Sequence, residues 1–131
     1  MGWSARCTTS PRQPTSWALS PEERAAFPAL GASCHGLEDV REAAELGCSY
    51  GTLGHIFPTG CKPGLPPRGV ELLAKVCQAS TLPVYAIGGI GPGNIAQVKR
   101  AGAAGACVMS GFMTAPDPAR LVGQLRKEAE L

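Results

Sequence analysis

The chain has 131 residues, one domain's worth of polypeptide and enough to bury a core. Its 12 Lys+Arg against 10 Asp+Glu leave a formal net charge of only +2, so neither nucleic acid nor an anionic membrane is expected as partner. Charged residues make up 17% of the chain, while Gly (17) and Pro (12) are abundant. That balance suits many tight turns and an α/β domain with covered sheet faces.

The chain opens irregularly. Ser4, Thr8, Thr9, Ser10, Pro11, Pro14, Thr15 and Ser16 leave no apolar periodicity up to about residue 19, and Trp3 and Trp17 stand isolated; the segment reads as an irregular arm. No charged stretch leads into an apolar run near Met1, so no secretory signal is expected. At Ser20-Pro21-Glu22-Glu23 the pattern changes. Ser20 suits a cap, Pro21 the first helical position and Glu23 the return arm of a capping box, predicting a short helix at about 21–27. Residues 1–29 are thus set apart from 30–131.

From Leu30 four similar units follow, each a short apolar strand, a Gly-containing loop and an amphipathic helix. The first is a strand Leu30–Cys34 and a helix from about Leu37 to Leu46, with Val40, Ala43, Ala44 and Leu46 on one face. Gly47 ends it. The second is a strand of about Tyr50–Phe57, a Pro/Gly-rich loop through Gly69 and a helix Val70–Gln78. Next come a strand Pro83–Ile87 with a helix from about Pro92 to Ala101, and a strand Ala106–Met109 with a helix from about Pro118 to Glu130.

Such alternation implies right-handed crossovers and a parallel sheet. No Gly-x-Gly-x-x-Gly fingerprint opens the first unit, which argues against an open dinucleotide-binding sheet. A closed (β/α)8 barrel usually needs about 250 residues. The expected fold is therefore a parallel (β/α) half barrel, the C-terminal four units of a TIM barrel. Its outer strands, Leu30–Cys34 and Ala106–Met109, would be bare edges over an apolar inner face, so self-association is expected.

In such barrels the chemistry lies in the loops after the strands. The last two loops, Gly88-Gly89-Ile90-Gly91 and Ser110-Gly111, stand where barrel phosphate sites are commonly built. Glycines let backbone N–H groups approach phosphate oxygens, and Ser110 adds a hydroxyl; the competing explanation is a plain tight turn. In the second loop His55 can move protons in both directions near neutral pH. Thr59 and Lys62 add a hydroxyl and a cation suited to an anionic group. Arg68 could act likewise or sit in solvent. His35 has the same placement without supporting neighbours, which favours a structural role. Six cysteines, at 7, 34, 48, 61, 77 and 107, form no Cys-x-x-Cys pair, so no metal site is expected and free thiols in a reducing cytoplasm fit best. Cys34, Cys48, Cys77 and Cys107 read as packing residues, and only Cys61 falls in a candidate site loop. No apolar run approaches the roughly 20 residues of a membrane span.

The run Gly54-His55-Ile56-Phe57-Pro58-Thr59-Gly60-Cys61-Lys62, followed by Gly64-Leu65 and Arg68-Gly69, resembles the family of thiamin-phosphate synthases and the tautomerases related to them. Pro83-Val84-Tyr85-Ala86-Ile87-Gly88-Gly89-Ile90 and Val108-Met109-Ser110-Gly111 continue the resemblance from Leu30 to the C-terminus. Gly-His-Ile-Phe with Cys-Lys is similar to the thiazole tautomerase branch; synthases typically have Gly-Pro-Ile-Phe and Thr or Ser before the lysine. The tautomerase resemblance implies aromatisation of a carboxylated thiazole phosphate by proton transfer, with His55 as acid/base. Gly88, Gly89, Met109 and Ser110 would hold the phosphate, Thr59 and Lys62 the other anionic groups. It implies a small phosphorylated thiazole as partner and no cofactor. A synthase would also need Mg2+, whose ligands the resemblance places in the first four strands of the barrel. Three readings stand: tautomerase-like enzyme, synthase fragment, and a non-catalytic truncated half barrel that binds phosphate.

Overall fold

The computed structural model describes residues 8–9, 20–60, 64 and 66–130. Five strands form one parallel sheet: β1 (Thr8–Thr9), β2 (Gly31–Cys34), β3 (Tyr50–Leu53), β4 (Val84–Ile87) and β5 (Gly105–Cys107). Their spatial order follows the chain, β1-β2-β3-β4-β5. Between and after them come α1 (Pro21–Ala25), α2 (Leu37–Glu45), α3 (Val70–Ala79), α4 (Ile95–Arg100), α5 (Ser110–Thr114) and α6 (Pro118–Glu128). Along the chain α2 packs on α3, α3 on α4 and α4 on α6, so these helices make one layer on one face of the sheet. A doubly wound sheet would reverse its strand order and carry helices on both faces. Sequential order with a single helix layer is the arrangement of consecutive units of a barrel.

The core lies between sheet and helices. Ala32, Cys34, Leu53, Val84 and Ala86 point into it from the strands, and Val40, Ala43, Leu73, Val76, Ile95 and Val98 meet them from the helices. Local chemistry sets the helix ends. Ser20 accepts from the Glu23 backbone N–H at 3.1 Å, and the Glu23 carboxylate accepts from the Ser20 N–H at 2.9 Å, the reciprocal cap that the Ser-Pro-Glu-Glu run leads one to expect. Asp117 caps α6 by accepting from Arg120 N–H at 3.0 Å, with Pro118 in the first turn.

Four expectations change. Thr8 and Thr9, placed in the irregular arm, pair in parallel with Ala32 and Ser33. Two adjacent β-branched residues suit extended backbone. The Leu30–Cys34 edge, expected bare, therefore carries a short strand, and the two edges of the described sheet are β1 and β5. The face away from the helices is also less apolar than expected. It presents Ser33, Thr52, Tyr50 and Tyr85 beside Ile87 and Cys107, as the strand register requires. The two tyrosine rings meet edge to face at 5.7 Å, each over a glycine of a neighbouring strand (Gly31 and Gly105) whose Cβ would overlap the ring. The helix expected from Pro92 starts only at Ile95, because Asn94 turns back to the preceding loop.

Candidate phosphate-binding site at the strand ends

The site is built where β3 and β4 end. The strand ends at Leu53, shorter than the Tyr50–Phe57 expected, and a cis peptide joins Gly54 to His55. The chain remains tied to the next strand end: Ile56 N–H donates to Ile87 O at 3.1 Å and Phe57 N–H to Gly88 O at 3.1 Å. Gly88 and Gly89 have φ of 107° and 66°, backbone conformations that L side chains rarely adopt. Space is closed to them as well. A Cβ on Gly88 would stand 2.6 Å from His55 Cβ, and one on Gly89 would stand 2.6 Å from Pro58 O. The pair is thus more than a tight turn, since it lets two strand-end loops lie against each other. Asn94 holds the turn, its side-chain amide donating to Gly89 O at 2.9 Å while its Oδ1 accepts from Gly91 N–H at 2.9 Å.

A cavity of about 180 Å³ opens at this junction, lined by Gly54, His55, Thr59, Ile87, Gly88, Gly89, Ile90, Cys107, Val108, Met109 and Ser110. His55, Thr59, Gly88, Gly89, Met109 and Ser110, six candidates drawn from three different loops, are brought together in one wall. Lys62 and Cys61 lie outside the described residues. Gly111 faces a neighbouring open groove with Asp117 and Arg120 instead. His55 is 5% exposed, the one polar residue among those buried in the described chain, whereas Met109 is 66% exposed at the rim. Ser110 opens α5, a five-residue helix that the sequence reading did not anticipate.

Five lining residues were not foreseen as site residues, Gly54 beside His55 being one. Ile87, Ile90 and Val108 make the wall apolar, and Cys107, expected to be a packing residue, lines it too. Partial burial pushes the Cys107 thiol up from its ordinary value, keeping it a neutral thiol near neutral pH. Alternation along β5 could have found Cys107, because it partners Ile87 across the ladder. His35 stands outside the cavity wall. Its backbone N–H donates to Asp39 at 2.8 Å and its Nδ1 lies 3.3 Å from the same carboxylate. Arg68, expected to bind an anion or to sit in solvent, is partly exposed and its guanidinium donates to the backbone carbonyls of Gly54 and His35.

Chemically the wall offers backbone amides at a Gly-Gly turn, hydroxyls from Thr59 and Ser110, and one imidazole. No carboxylate lines it, and no group of three or more His, Cys, Asp or Glu side chains converges among the described residues. The donor set of these residues therefore does not fit the Mg2+ that a synthase resemblance implies. No helix among them is long and apolar enough to cross a membrane.

Comparison with known proteins agrees with this geometry. The family profile described as thiamine monophosphate synthase matches residues 20–112, starting ahead of Leu30 and so including α1. The thiamine-phosphate synthase of Roseiflexus sp. strain RS-1 is 43% identical over 90 residues, 68% of this chain and 38% of the relative. That of Pyrococcus abyssi is 39% identical over 101 residues, 77% of this chain and 49% of the relative. The solved thiamine phosphate pyrophosphorylase from Pyrococcus furiosus superposes with a TM-score of 0.72 at 34% identity, covering 83% of this chain and 53% of that one. The chain thus spans about half the length, or less, of the relatives it matches. These relatives are synthases by name, and they favour the synthase branch over the tautomerase branch suggested by Gly54-His55 and Cys61-Lys62. With the profile covering most of the chain and the strand-end loops assembled into one cavity, the chain belongs to the thiamine monophosphate synthase family.

Proposed function

We propose that this chain forms the thiazole-phosphate side of a thiamine-phosphate synthase site in thiamin biosynthesis. The observation that carries the reading is the cavity joining Gly88-Gly89 to Met109-Ser110, with His55 and Thr59 on its third wall. The phosphate is held by glycine-turn amides and the Ser110 hydroxyl, at the end of the barrel where phosphates are commonly bound. The thiazole ring lies against Ile87, Ile90 and Val108, and Lys62 and Thr59 serve the anionic groups of the ligands. The apolar wall with one polar corner suits a small phosphorylated ring.

The thiazole tautomerase remains as a second reading for one reason: a histidine, the residue type best suited to proton transfer near neutrality, lines the cavity. Two product assays separate the readings. On the synthase reading the chain binds a thiazole phosphate, makes no thiamine phosphate by itself from that and a pyrimidine pyrophosphate, because no described residue fits Mg2+, and leaves a carboxylated thiazole phosphate unchanged. Aromatisation of the carboxylated thiazole phosphate would establish the tautomerase instead. His55→Ala should then lower turnover of the folded fraction by about 10²–10⁴-fold, with some loss of melting temperature because the side chain is buried.

The same reading makes a second copy of this chain the partner for the bare β5 edge and the sheet face opposite the helices. Ile87 is 40% exposed there, and Met109, which lines the cavity with it, is 66% exposed. One copy matches about half of the solved relative, so two copies supply a comparable number of strands. Sedimentation should show a dimer or larger species. A sharp monomer boundary with little bis-ANS fluorescence would contradict this.

A further inference from the structure

We infer that Arg68 is a positioning residue, a strut that fixes where His55 stands in the cavity wall. The inference rests on the synthase-family reading of the cavity and adds a role for a side chain that does not line it. Arg68 sits where the chain returns from the long loop to enter α3. Its backbone N–H donates to His55 O at 2.9 Å, and Gly69 N–H donates to Ile56 O at 3.0 Å. Its guanidinium reaches further, Nε donating to Gly54 O and Nη1 donating to His35 O at 3.0 Å. One residue therefore grips the carbonyls of Gly54 and His55 and links them to the end of β2.

The chemistry selects arginine. Two carbonyls on different strand ends must be reached at once, and a planar guanidinium presents several N–H donors in a fixed fork. A lysine ammonium carries its three N–H donors on one atom at the end of a flexible stem and cannot span both carbonyls in one fixed geometry. From the other side, Gly88 leaves no gap at His55 Cα and Cβ. Held by Arg68 on one flank and Gly88 on the other, the His55 backbone has little freedom, and its imidazole direction is set by that backbone. Loss of the guanidinium frees one flank only, so the sheet core should survive while the wall of the cavity shifts.

The test uses the full chain with Arg68→Lys and Arg68→Gln, both of which keep the backbone N–H bonds. Three readouts are taken on each: the His55 imidazole resonances in ¹⁵N–¹H NMR without ligand, affinity for a thiazole phosphate by calorimetry, and thermal unfolding. The expected result is a shifted, broadened His55 signal in both variants and affinity weaker by about 10-fold, with lysine failing to rescue either. Resonances of Leu53 and Leu73 in the core should stay in place. An unmoved His55 signal in a folded variant would overturn the inference, as would full rescue of signal and affinity by Arg68→Lys. If wild-type chain binds no thiazole phosphate, the functional reading fails, while the ligand-free His55 signal still decides the role of Arg68.

Discussion

Gly88→Ala is expected to destabilise the chain by about 2–5 kcal/mol and to remove the phosphate site with it. Two effects add. The residue has φ 107°, where an L side chain is strained whatever the space around it. The new methyl also meets backbone: His55 Cα at 2.7 Å and Ile56 N at 3.2 Å. Neither neighbour can rotate away, because Ile56 N–H is bonded to Ile87 O. Relief therefore requires the two strand-end loops to separate, which opens the wall shared by His55 and Gly88. A fall of roughly 10 °C in melting temperature should accompany the loss. Gly123→Ala serves as the control. Its Cβ meets nothing within 4 Å, it lies inside α6, and alanine there should be neutral or stabilising by up to about 1 kcal/mol. If both substitutions behaved alike in thermal unfolding, the close approach at Gly88 would not matter.

The sequence shows the fold well where local rules and burial agree. Ser20-Pro21-Glu22-Glu23 forms the capping box it announces, and the apolar face of Val40 and Ala43 packs against the sheet as its period requires. Strand–helix alternation was enough for a parallel sheet, and the absence of a dinucleotide fingerprint was enough to favour consecutive barrel units over a doubly wound sheet. Placing loops at the C-terminal ends of parallel strands gathered His55, Thr59, Gly88, Gly89 and Ser110, and the family resemblance added Met109. Where the reading failed, the deciding interaction was long-range. Nothing local in Thr8-Thr9 says that β2 will offer it an edge. The strand starting at Tyr50 stops early because its end is tied to Ile87 and Gly88, residues far along the chain. Asn94 looks like an ordinary turn residue until Gly89 and Gly91 come within reach of both ends of its amide. Arg68 looks like an anion site until the carbonyls of Gly54 and His35 use its donors. The choice between branches turned on motif letters at 55 and 61, whereas similarity over the matched length favours the synthases.

The proposed function requires the corner between Gly88-Gly89 and Ser110 to recognise a phosphate on a small ring. Calorimetric titration of the full chain with a thiazole phosphate, the same thiazole alcohol without phosphate, and NAD tests it most directly. Hydrogen bonds to a charged group contribute about 1.5–3 kcal/mol each, so two of them correspond to roughly 10²-fold or more in affinity. The phosphorylated thiazole should therefore bind at least about 10²-fold tighter than the alcohol, inorganic phosphate should compete with it, and NAD should show no comparable heat. Equal affinity for thiazole phosphate and thiazole alcohol, or tighter binding of NAD, would contradict the account.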